Sequence, residues 1–204
     1  DIVDQYFPWR RFAAECYHNG ILPFWNPYQH FGYAFTADPQ SGAWYPFVWL
    51  SALFGGYNVY VNQLEFFIHV FIGGAGMYLL TNHFTLCRKS SLAAGAVYML
   101  SGFFIGNAQH LTYIISGAWF PWVIYLFLKM SNRLHWSDAL LFSLSLFLMT
   151  AGGYPAFTII TAYILIFLFL YKLISVFKNR KSDLWKYVRI NLFALVMLSL
   201  LSSF

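Results

Sequence analysis

Charged side chains are scarce in this sequence: Asp, Glu, Lys and Arg make up 9% of its 204 residues, against about a quarter in an average soluble domain. Cysteine is also scarce, with two residues. The first shortage excludes a disordered chain and a nucleic-acid-binding arm, and the second excludes a disulfide-rich secreted scaffold. Hydrophobic residues form 60% of the chain and aromatic residues 23%. Such a composition is typical of an integral membrane protein.

Stretches without charge indicate the parts of the chain that are expected to cross the membrane. After Glu65, four long stretches contain no Asp, Glu, Lys or Arg: 66–87, 90–128, 139–171 and 190–204. Because one crossing needs roughly 20 apolar residues, the second and third stretches are each too long for a single helix. Polar breaks at 106–110 and 152–155 divide them. We therefore expect an all-α polytopic membrane protein with about six helices in residues 58–204: 59–80, 92–104, 112–128, 137–151, 157–173 and one from 187.

The basic residues predict the orientation of these helices. Ten of the twelve Lys and Arg residues fall in three clusters at alternate loops: 88–89, 129–133 and 172–189. Because positively charged loops stay in the cytoplasm, residues 1–57 and both polar breaks are predicted on the outer side of the cytoplasmic membrane. Cys16 and Cys87 would then lie near opposite faces, and no disulfide between them is expected.

Both ends of the sequence predict a longer membrane protein. The sequence has no initiating Met and no signal peptide, and Asp1 already lies on the predicted outer side. A preceding helix would explain this position. At the other end the last apolar stretch stops at Phe204, so we expect the last helix to be truncated.

Residues 1–57 differ in composition from the predicted bundle. They contain five of the seven prolines, four of the seven acids and ten Trp or Tyr residues, whose amphipathic rings favour the membrane–water interface. The apolar spacing predicts a helix over 4–17. The short apolar stretch 44–54 predicts a second helix that lies in the interface or re-enters the membrane. Two interpretations stay open: a lid over an active site, or an aromatic collar that anchors the bundle.

One face of the first predicted membrane helix is polar. Asn62, Glu65 and His69 are spaced three and four residues apart and therefore share a face. An ionisable residue inside a membrane helix is by default a candidate functional group, so Glu65 and His69 are candidates for substrate contact. The alternative is a Glu–His pair that satisfies itself within the bundle.

Several motifs resemble the YfhO family of bacterial membrane proteins. Residues 1–8, Asp-Ile-Val-Asp-Gln-Tyr-Phe-Pro, resemble the family's Asp-x-x-x-Gln-Tyr-x-Pro opening of the first outer loop, and residues 20–27 resemble its Gly-x-x-Pro-x-Trp-Asn-Pro stretch. Residues 101–121 are similar to its second outer loop and the helix that follows. Residues 151–155 resemble its Ala-Gly-His-Pro-Gln element, but Tyr154 stands where His is common and Ala156 where Gln is common.

This resemblance implies a fold and a function, because the YfhO family is similar to the GT-C class of membrane glycosyltransferases. It implies a GT-C-like helix bundle with a long first extracytoplasmic loop, residues 1–57, that contains short interfacial helices. The donor would be a polyprenyl-phosphate-linked sugar. The acceptor would belong to the cell envelope, on the outer face of the cytoplasmic membrane. The lipid bilayer is the remaining expected partner, and no nucleic acid is expected.

The resemblance also assigns roles to the outer charged residues. In GT-C enzymes an acid early in the first outer loop serves as catalytic base or metal partner, and by motif position this acid is Asp1. Asp4 would share a helix face with Asp1, where two acids can hold a divalent metal, divide acid and base roles, or cap the helix. The departing phosphate needs an offsetting charge. Arg10 and Arg11, the basic residues predicted outside, would contact it, or would instead contact anionic lipid headgroups.

Four further side chains complete the predicted site. Gln5 and Gln40 are candidates for binding sugar hydroxyls, and Gln109 with His110 in the second outer loop for orienting donor or acceptor. A lone loop histidine is otherwise a surface residue. Two other functions stay open: a transporter or flippase for a lipid-linked or envelope precursor, and a structural membrane subunit. A transporter typically has repeats broken at the membrane midplane, whereas both breaks here are predicted at the surface.

Overall fold

The chain up to residue 57 folds into short helices and a small hairpin, in a computed structural model that describes residues 2–29 and 31–203. The elements are a π-helical turn (Ile2–Tyr6), α1 (Phe7–His18), antiparallel strands β1 (Trp25–Asn26) and β2 (Tyr33–Ala34), a 3₁₀ turn (Phe35–Ala37) and α2 (Pro46–Leu53). Pro8 and Pro46 lie in the first turns of α1 and α2, where a missing N–H costs no helical hydrogen bond. Helices thus occur at both places where the apolar pattern predicts them.

From residue 59 to residue 203 the chain is a bundle of helices joined by short loops. The helices are α3 (Val59–Thr85), α4 (Arg88–Met99), α5 (Gly102–Gly106), α6 (Leu111–Arg133), α7 (Trp136–Gly152), α8 (Pro155–Asn179) and α9 (Leu184–Leu201). Four stretches are long and apolar enough to cross a membrane: Val59–Thr85, Leu111–Arg133, Pro155–Asn179 and Lys181–Leu201. The fold is therefore that of an α-helical protein with four candidate membrane-spanning helices, in agreement with the predicted class.

One helix that is predicted to be continuous is interrupted in the structure. The sequence predicts a single helix over 92–104, but α4 ends at Met99 and α5 begins at Gly102. Ser101 between them has extended backbone angles, with φ −67° and ψ 152°, as is usual for a residue that precedes a helix. With 12 residues, α4 is roughly 18 Å long, which is shorter than a hydrocarbon core of about 30 Å.

The centre of the bundle is α6, which packs against α3 and α7. In this helix 67% of the apolar stretch is buried, against 11% in α8. Glycines bring α3 and α4 close together: a Cβ atom added at Gly95 would lie 2.8 Å from the carbonyl oxygen of Gly74. Close approach of backbones at small residues is a common way to pack helices in membranes.

The loops gather at two ends of the bundle that differ in charge. At one end Asn132 joins three helices, because its Nδ2 atom lies 3.4 Å from Nε2 of His83 and its Oδ1 atom accepts from Lys172 at 2.8 Å. The three basic clusters therefore lie at this end. At the other end the Tyr6 hydroxyl contacts Oγ1 of Thr112 at 3.3 Å. The basic loops and the segment 2–57 therefore lie at opposite ends of the bundle, in agreement with the alternating charge pattern. That the second end faces the outer side of the membrane stays a prediction.

The segment 2–57 has a hydrophobic core that continues into the start of α6. Its buried members are Tyr6, Trp9, Ala13, Ala14, Phe35, Ala43, Tyr45, Val48, Ala52, Tyr57, Leu111 and Ile115. Polar edges of the rings are bonded as well: Trp9 Nε1 donates to Gln29 Oε1 at 2.6 Å, and the Tyr17 hydroxyl donates to the carbonyl of Ala43 at 2.8 Å. The segment is therefore an ordered layer packed on one end of the bundle.

Candidate functional site

A buried ion pair joins the N-terminal segment to the first long helix. Arg10 of α1 and Glu65 of α3 have side chains 1% and 0% exposed, and Nη1 of Arg10 lies 3.6 Å from Oε1 of Glu65. Removing either partner would leave an uncompensated buried charge, which costs several kcal/mol. The pair therefore fixes α1 against α3.

The Arg10 guanidinium also contacts two backbone carbonyls and a ring. Nη1 lies 3.5 Å from the carbonyl oxygen of Gly42, and Nη2 lies 3.4 Å from that of Gly152. Its central carbon lies 5.4 Å from the centre of the Tyr45 ring, within cation–π range. Gly42 has a φ of +63°, and a Cβ atom there would lie 2.5 Å from Cζ of Arg10, so this turn requires glycine. One side chain thus contacts α3, the 38–45 loop and the end of α7.

Tyr57 and Asn62 complete the surroundings of the Glu65 carboxylate. The Tyr57 hydroxyl donates to Oε2 of Glu65 at 2.5 Å and lies 3.0 Å from Oδ1 of Asn62. A hydroxyl has one proton, and a charged carboxylate is the stronger acceptor, so the proton belongs to the bond with Glu65. The other carboxylate oxygen has no hydrogen-bond partner among the described residues, and its contact with Arg10 is electrostatic.

A chain of hydrogen bonds runs from α6 to α3 beside the ion pair. Trp119 Nε1 donates to the Tyr45 hydroxyl at 3.0 Å, and this hydroxyl lies 2.5 Å from Nε2 of His69. His69 Nδ1 lies 2.6 Å from the backbone carbonyl of Glu65. A carbonyl can only accept, so Nδ1 carries the proton and Nε2 accepts from Tyr45. The geometry therefore indicates a neutral imidazole.

Two phenols at this site are held in the protonated form. Burial raises the pKa of Tyr45 far above its ordinary value, against a smaller opposite effect of the hydrogen bond from Trp119. Burial also raises the pKa of Tyr57, and the Glu65 charge raises it further. Both hydroxyls thus remain hydrogen-bond donors at neutral pH, to Nε2 of His69 and to the Glu65 carboxylate.

The predicted catalytic acids are at the very start of the sequence. Asp1 lies outside the described residues, so its predicted role as base stays a prediction. Asp4 is exposed within the π-helical turn, and Gln5 is half-buried there. Tyr6, the next residue, is buried and contacts Thr112 at the start of α6. The turn that contains Asp4 is therefore next to the start of α6.

The second polar loop lies at this same end of the molecule. Gln109 is exposed, and His110 is half-buried with its ring stacked on Tyr113, the ring centres being 4.9 Å apart. Because Thr112 follows this loop and contacts Tyr6, the loop is close to the turn with Asp4. The structure thus brings the turn with Asp4 and the loop with Gln109 and His110 to the same end of the bundle.

Arg11 and Gln40 lie apart from the buried ion pair. Arg11 is 62% exposed and its Nε atom contacts the Glu15 carboxylate at 2.7 Å, one turn further along α1. Arg11 and Glu15 line an open cavity of about 470 Å³ between α1 and the 55–59 turn, together with His18. Gln40 is half-buried, and its backbone N–H donates to Oδ1 of Asp38 at 2.8 Å.

Two details of the predicted site differ from the structure. Arg10 is predicted to contact phosphate or lipid headgroups, but its guanidinium is buried against Glu65. A Glu65–His69 side-chain pair is the alternative prediction for α3, whereas each of these side chains contacts its own tyrosine. Both differences have one physical reason: a buried carboxylate is better compensated by a cation than by a neutral imidazole.

Sequence reasoning missed the aromatic members of the site. The sequence pattern indicates no role for Tyr45, Tyr57 and Trp119 beyond that of interfacial rings or motif positions. A signal did exist for Trp119, because Trp119-Phe120-Pro121 lies within the family-like segment 101–121. Composition alone does not separate such rings from membrane anchors, since both have a polar edge.

The described residues contain no ready-made metal site. No three His, Cys, Asp or Glu side chains in residues 2–29 and 31–203 are arranged to hold a metal ion. The predicted metal pair of Asp1 and Asp4 includes a residue outside this part of the chain, and a divalent metal there stays a prediction.

Comparison with known proteins gives no relative. No protein-family model, no curated protein and no solved structure matches the chain.

Proposed function

We propose that the chain belongs to a membrane glycosyltransferase that transfers a sugar from a polyprenyl-phosphate-linked donor to a cell-envelope acceptor, on the outer face of the cytoplasmic membrane. The observation that carries the proposal is the buried Arg10–Glu65 ion pair, which fixes the segment 2–57 on the end of the bundle. The motif resemblance to the YfhO family supplies the reaction type.

An ordered outer segment suits this reaction better than a flexible one. Sugar transfer requires the acceptor hydroxyl and the anomeric carbon to be held about 3–3.5 Å apart. Arg10 contacts the carbonyls of Gly42 and Gly152, so the loop before α2 and the end of α7 keep a fixed separation. The turn with Asp4 adjoins α6 through Tyr6 and Thr112. Residues of both outer loops can therefore face one substrate.

The reaction needs a base and a partner for the phosphate. As the acceptor oxygen attacks the anomeric carbon, its proton passes to a carboxylate, and the bond from that carbon to the phosphate oxygen breaks with the electron pair leaving on the phosphate. In the proposal Asp1 is the base and Asp4 supports it. Arg10 is committed to Glu65, so Arg11 is the arginine of this segment that can approach the phosphate.

The proposal is tested by transfer of a radiolabelled sugar from polyprenyl phosphate in membranes that carry the full-length protein. Asp1→Asn should reduce transfer by about a hundredfold or more, and Asp4→Asn by less. The matched control is Asp183→Asn, which removes a carboxylate at the opposite, basic end, where Asp183 pairs with Arg180. It should leave transfer unchanged.

Each outcome of this assay decides between functions. Full activity of Asp1→Asn would remove Asp1 as the base while retaining the transferase. Absence of transfer to any envelope fraction, with the protein present and folded, would overturn the transferase. Addition of divalent ions and of a chelator in the same assay tests whether sugar transfer requires a divalent metal.

One observation favours a transporter as the second candidate. Glu65 and His69 are ionisable, buried and one turn apart in a candidate membrane-spanning helix, and such residues often mark ion or proton pathways. A transporter would move a lipid-linked precursor across the bilayer of proteoliposomes without changing it. Glu65→Gln would then abolish movement while the precursor stays chemically intact.

A further inference from the structure

A groove follows α7 and α9 through the membrane part of the bundle. Its main part is a cavity of about 350 Å³ between α6, α7, α8 and α9, which includes Leu146, Ile166 and Leu195 in its walls. The one polar residue of this lining is Asn191, and its amide donates to the carbonyl of Tyr187 at 2.9 Å. The walls therefore present almost entirely apolar surface.

A second cavity continues the groove toward the segment 2–57. Leu198 lines both cavities, and the second has a volume of about 270 Å³. Its walls include Asp38, Ser41, Thr150 and Ser202. From Val188 to Leu201 the helix rises roughly 20 Å, two thirds of a hydrocarbon core of about 30 Å. The groove thus changes from apolar to polar along the direction in which a lipid lies.

The charge of the polar part selects the type of headgroup. Asp38 is the charged residue in the described lining of the two cavities, and this lining contains no Lys or Arg. A carboxylate accepts hydrogen bonds from hydroxyl groups and repels a phosphate. Trp44 lines the same cavity, and its indole offers an apolar face to a sugar ring. The lining is complementary to a neutral head that is rich in hydroxyl groups.

We propose that this groove binds a neutral glycolipid, with a hydrocarbon chain along α7 and α9 and its sugar head against Asp38. Since bilayer chains are as apolar as leucine, the apolar part orients the lipid and adds little affinity. Selectivity comes from the hydrogen bonds to Asp38, each worth roughly tenfold or more in affinity. Because the proposed donor is an anionic lipid phosphate, the neutral glycolipid is the acceptor, an assignment that rests on the proposed function.

The test is photo-crosslinking of the full-length protein in phosphatidylcholine nanodiscs. Two probes carry the same diazirine-bearing chains: a glucosyl diacylglycerol and a phosphatidylglycerol. The glucosyl probe should label peptides of α7 and α9 and the phosphatidylglycerol probe should not. Leu195→Trp fills the groove and should reduce this labelling about tenfold. Leu200→Trp is the matched control, because both leucines are 61% exposed and Leu200 does not line the groove.

A second pair of variants tests the headgroup contact. Asp38→Asn should reduce labelling by the glucosyl probe about tenfold, and Asp183→Asn should not. Equal labelling by both probes would indicate that the groove holds ordinary bilayer lipid. Absence of labelling would indicate that another segment covers the groove. Undiminished labelling of the Leu195→Trp variant would show that the lipid binds elsewhere. Each of these results overturns the proposal. Labelling without sugar transfer would leave the lipid site in place and overturn only its role as acceptor.

Discussion

The Arg10 guanidinium lies 3.6 Å from the Glu65 carboxylate, with both side chains almost completely buried. One residue belongs to α1 and the other to α3, a candidate membrane-spanning helix. The next arginine in the sequence, Arg11, pairs with Glu15 at 2.7 Å, and these two side chains are 62% and 57% exposed. Two consecutive arginines of α1 therefore form different ion pairs: Arg10 a buried one with α3, and Arg11 an exposed one within α1.

Arg10→Gln should destabilise the protein far more than Arg11→Gln. The first change leaves the Glu65 carboxylate buried without its cation, which costs about 3–5 kcal/mol. The second removes an exposed pair worth about 1 kcal/mol or less. Thermal unfolding of the two variants in the same detergent measures the difference. The double variant Arg10→Met, Glu65→Leu should recover much of the loss, and similar losses in both single variants would contradict the buried pair.

Alkaline pH should destabilise the protein, and Tyr57 should contribute to the decline of the free energy of unfolding with pH. The pKa of Tyr57 is raised in the folded state, above all by burial. A raised pKa means that the stabilisation is complete below the unfolded-state value of about 10 and is lost as pH rises above it. Tyr57→Phe should therefore lower stability at neutral pH and flatten its decline above about pH 10. Tyr60→Phe is the control, because Tyr60 is 82% exposed, and it should retain the wild-type slope.

The two cysteines should react with a membrane-impermeant maleimide at different rates and from opposite sides. A side-chain hydrogen bond with Ser90 lowers the pKa of Cys87, and burial raises that of Cys16. Since the thiolate is the reactive form, Cys87 should react faster. Labelling of single-cysteine variants in inside-out and right-side-out vesicles gives the sidedness. Reaction of both cysteines from one side would overturn the predicted topology.

Gly95→Ala should destabilise the contact between α3 and α4. The added methyl group would lie 2.8 Å from the carbonyl oxygen of Gly74, and overpacking of this kind costs roughly 1–3 kcal/mol. Gly102→Ala is the control, because a Cβ atom at Gly102 has no atom within 4 Å and alanine favours the helix. Unfolding midpoints of the two variants should therefore move in opposite directions, and a stabilised Gly95→Ala variant would show that the helices lie further apart.

The positions of the membrane helices could be predicted because apolar runs and turn residues are local signals. Each of the six predicted helices corresponds to a helical stretch, and the breaks at 106–110 and 152–155 are real loop or helix-end regions. The division between α4 and α5 was missed because it lies at Leu100–Ser101, inside a run without charge. A single serine and glycine interrupt a helix only when the surrounding packing allows it.

The site was harder to predict because its partners are distant in sequence. The pattern of Asn62, Glu65 and His69 did identify the polar face of α3, since a helix places these residues in register. Arg10 and Glu65 are 55 positions apart, and no periodic pattern connects them. Burial of an arginine from an interfacial helix depends on tertiary contacts, including the turn at Gly42 that leaves space for it.

The bond between Arg10 and the Gly152 carbonyl has a consequence for biosynthesis. These residues are 142 positions apart, so α1 leaves the ribosome long before the end of α7 exists. At about 5–20 residues per second, the interval is roughly 7–30 s. During that time Nη1 can already pair with Glu65, but Nη2 has to stay hydrated or in contact with lipid phosphates until the end of α7 exists. Docking of α1 is thus completed only when α7 has inserted, and a nascent chain stalled before α7 should show its N-terminal region more accessible to protease than the complete protein.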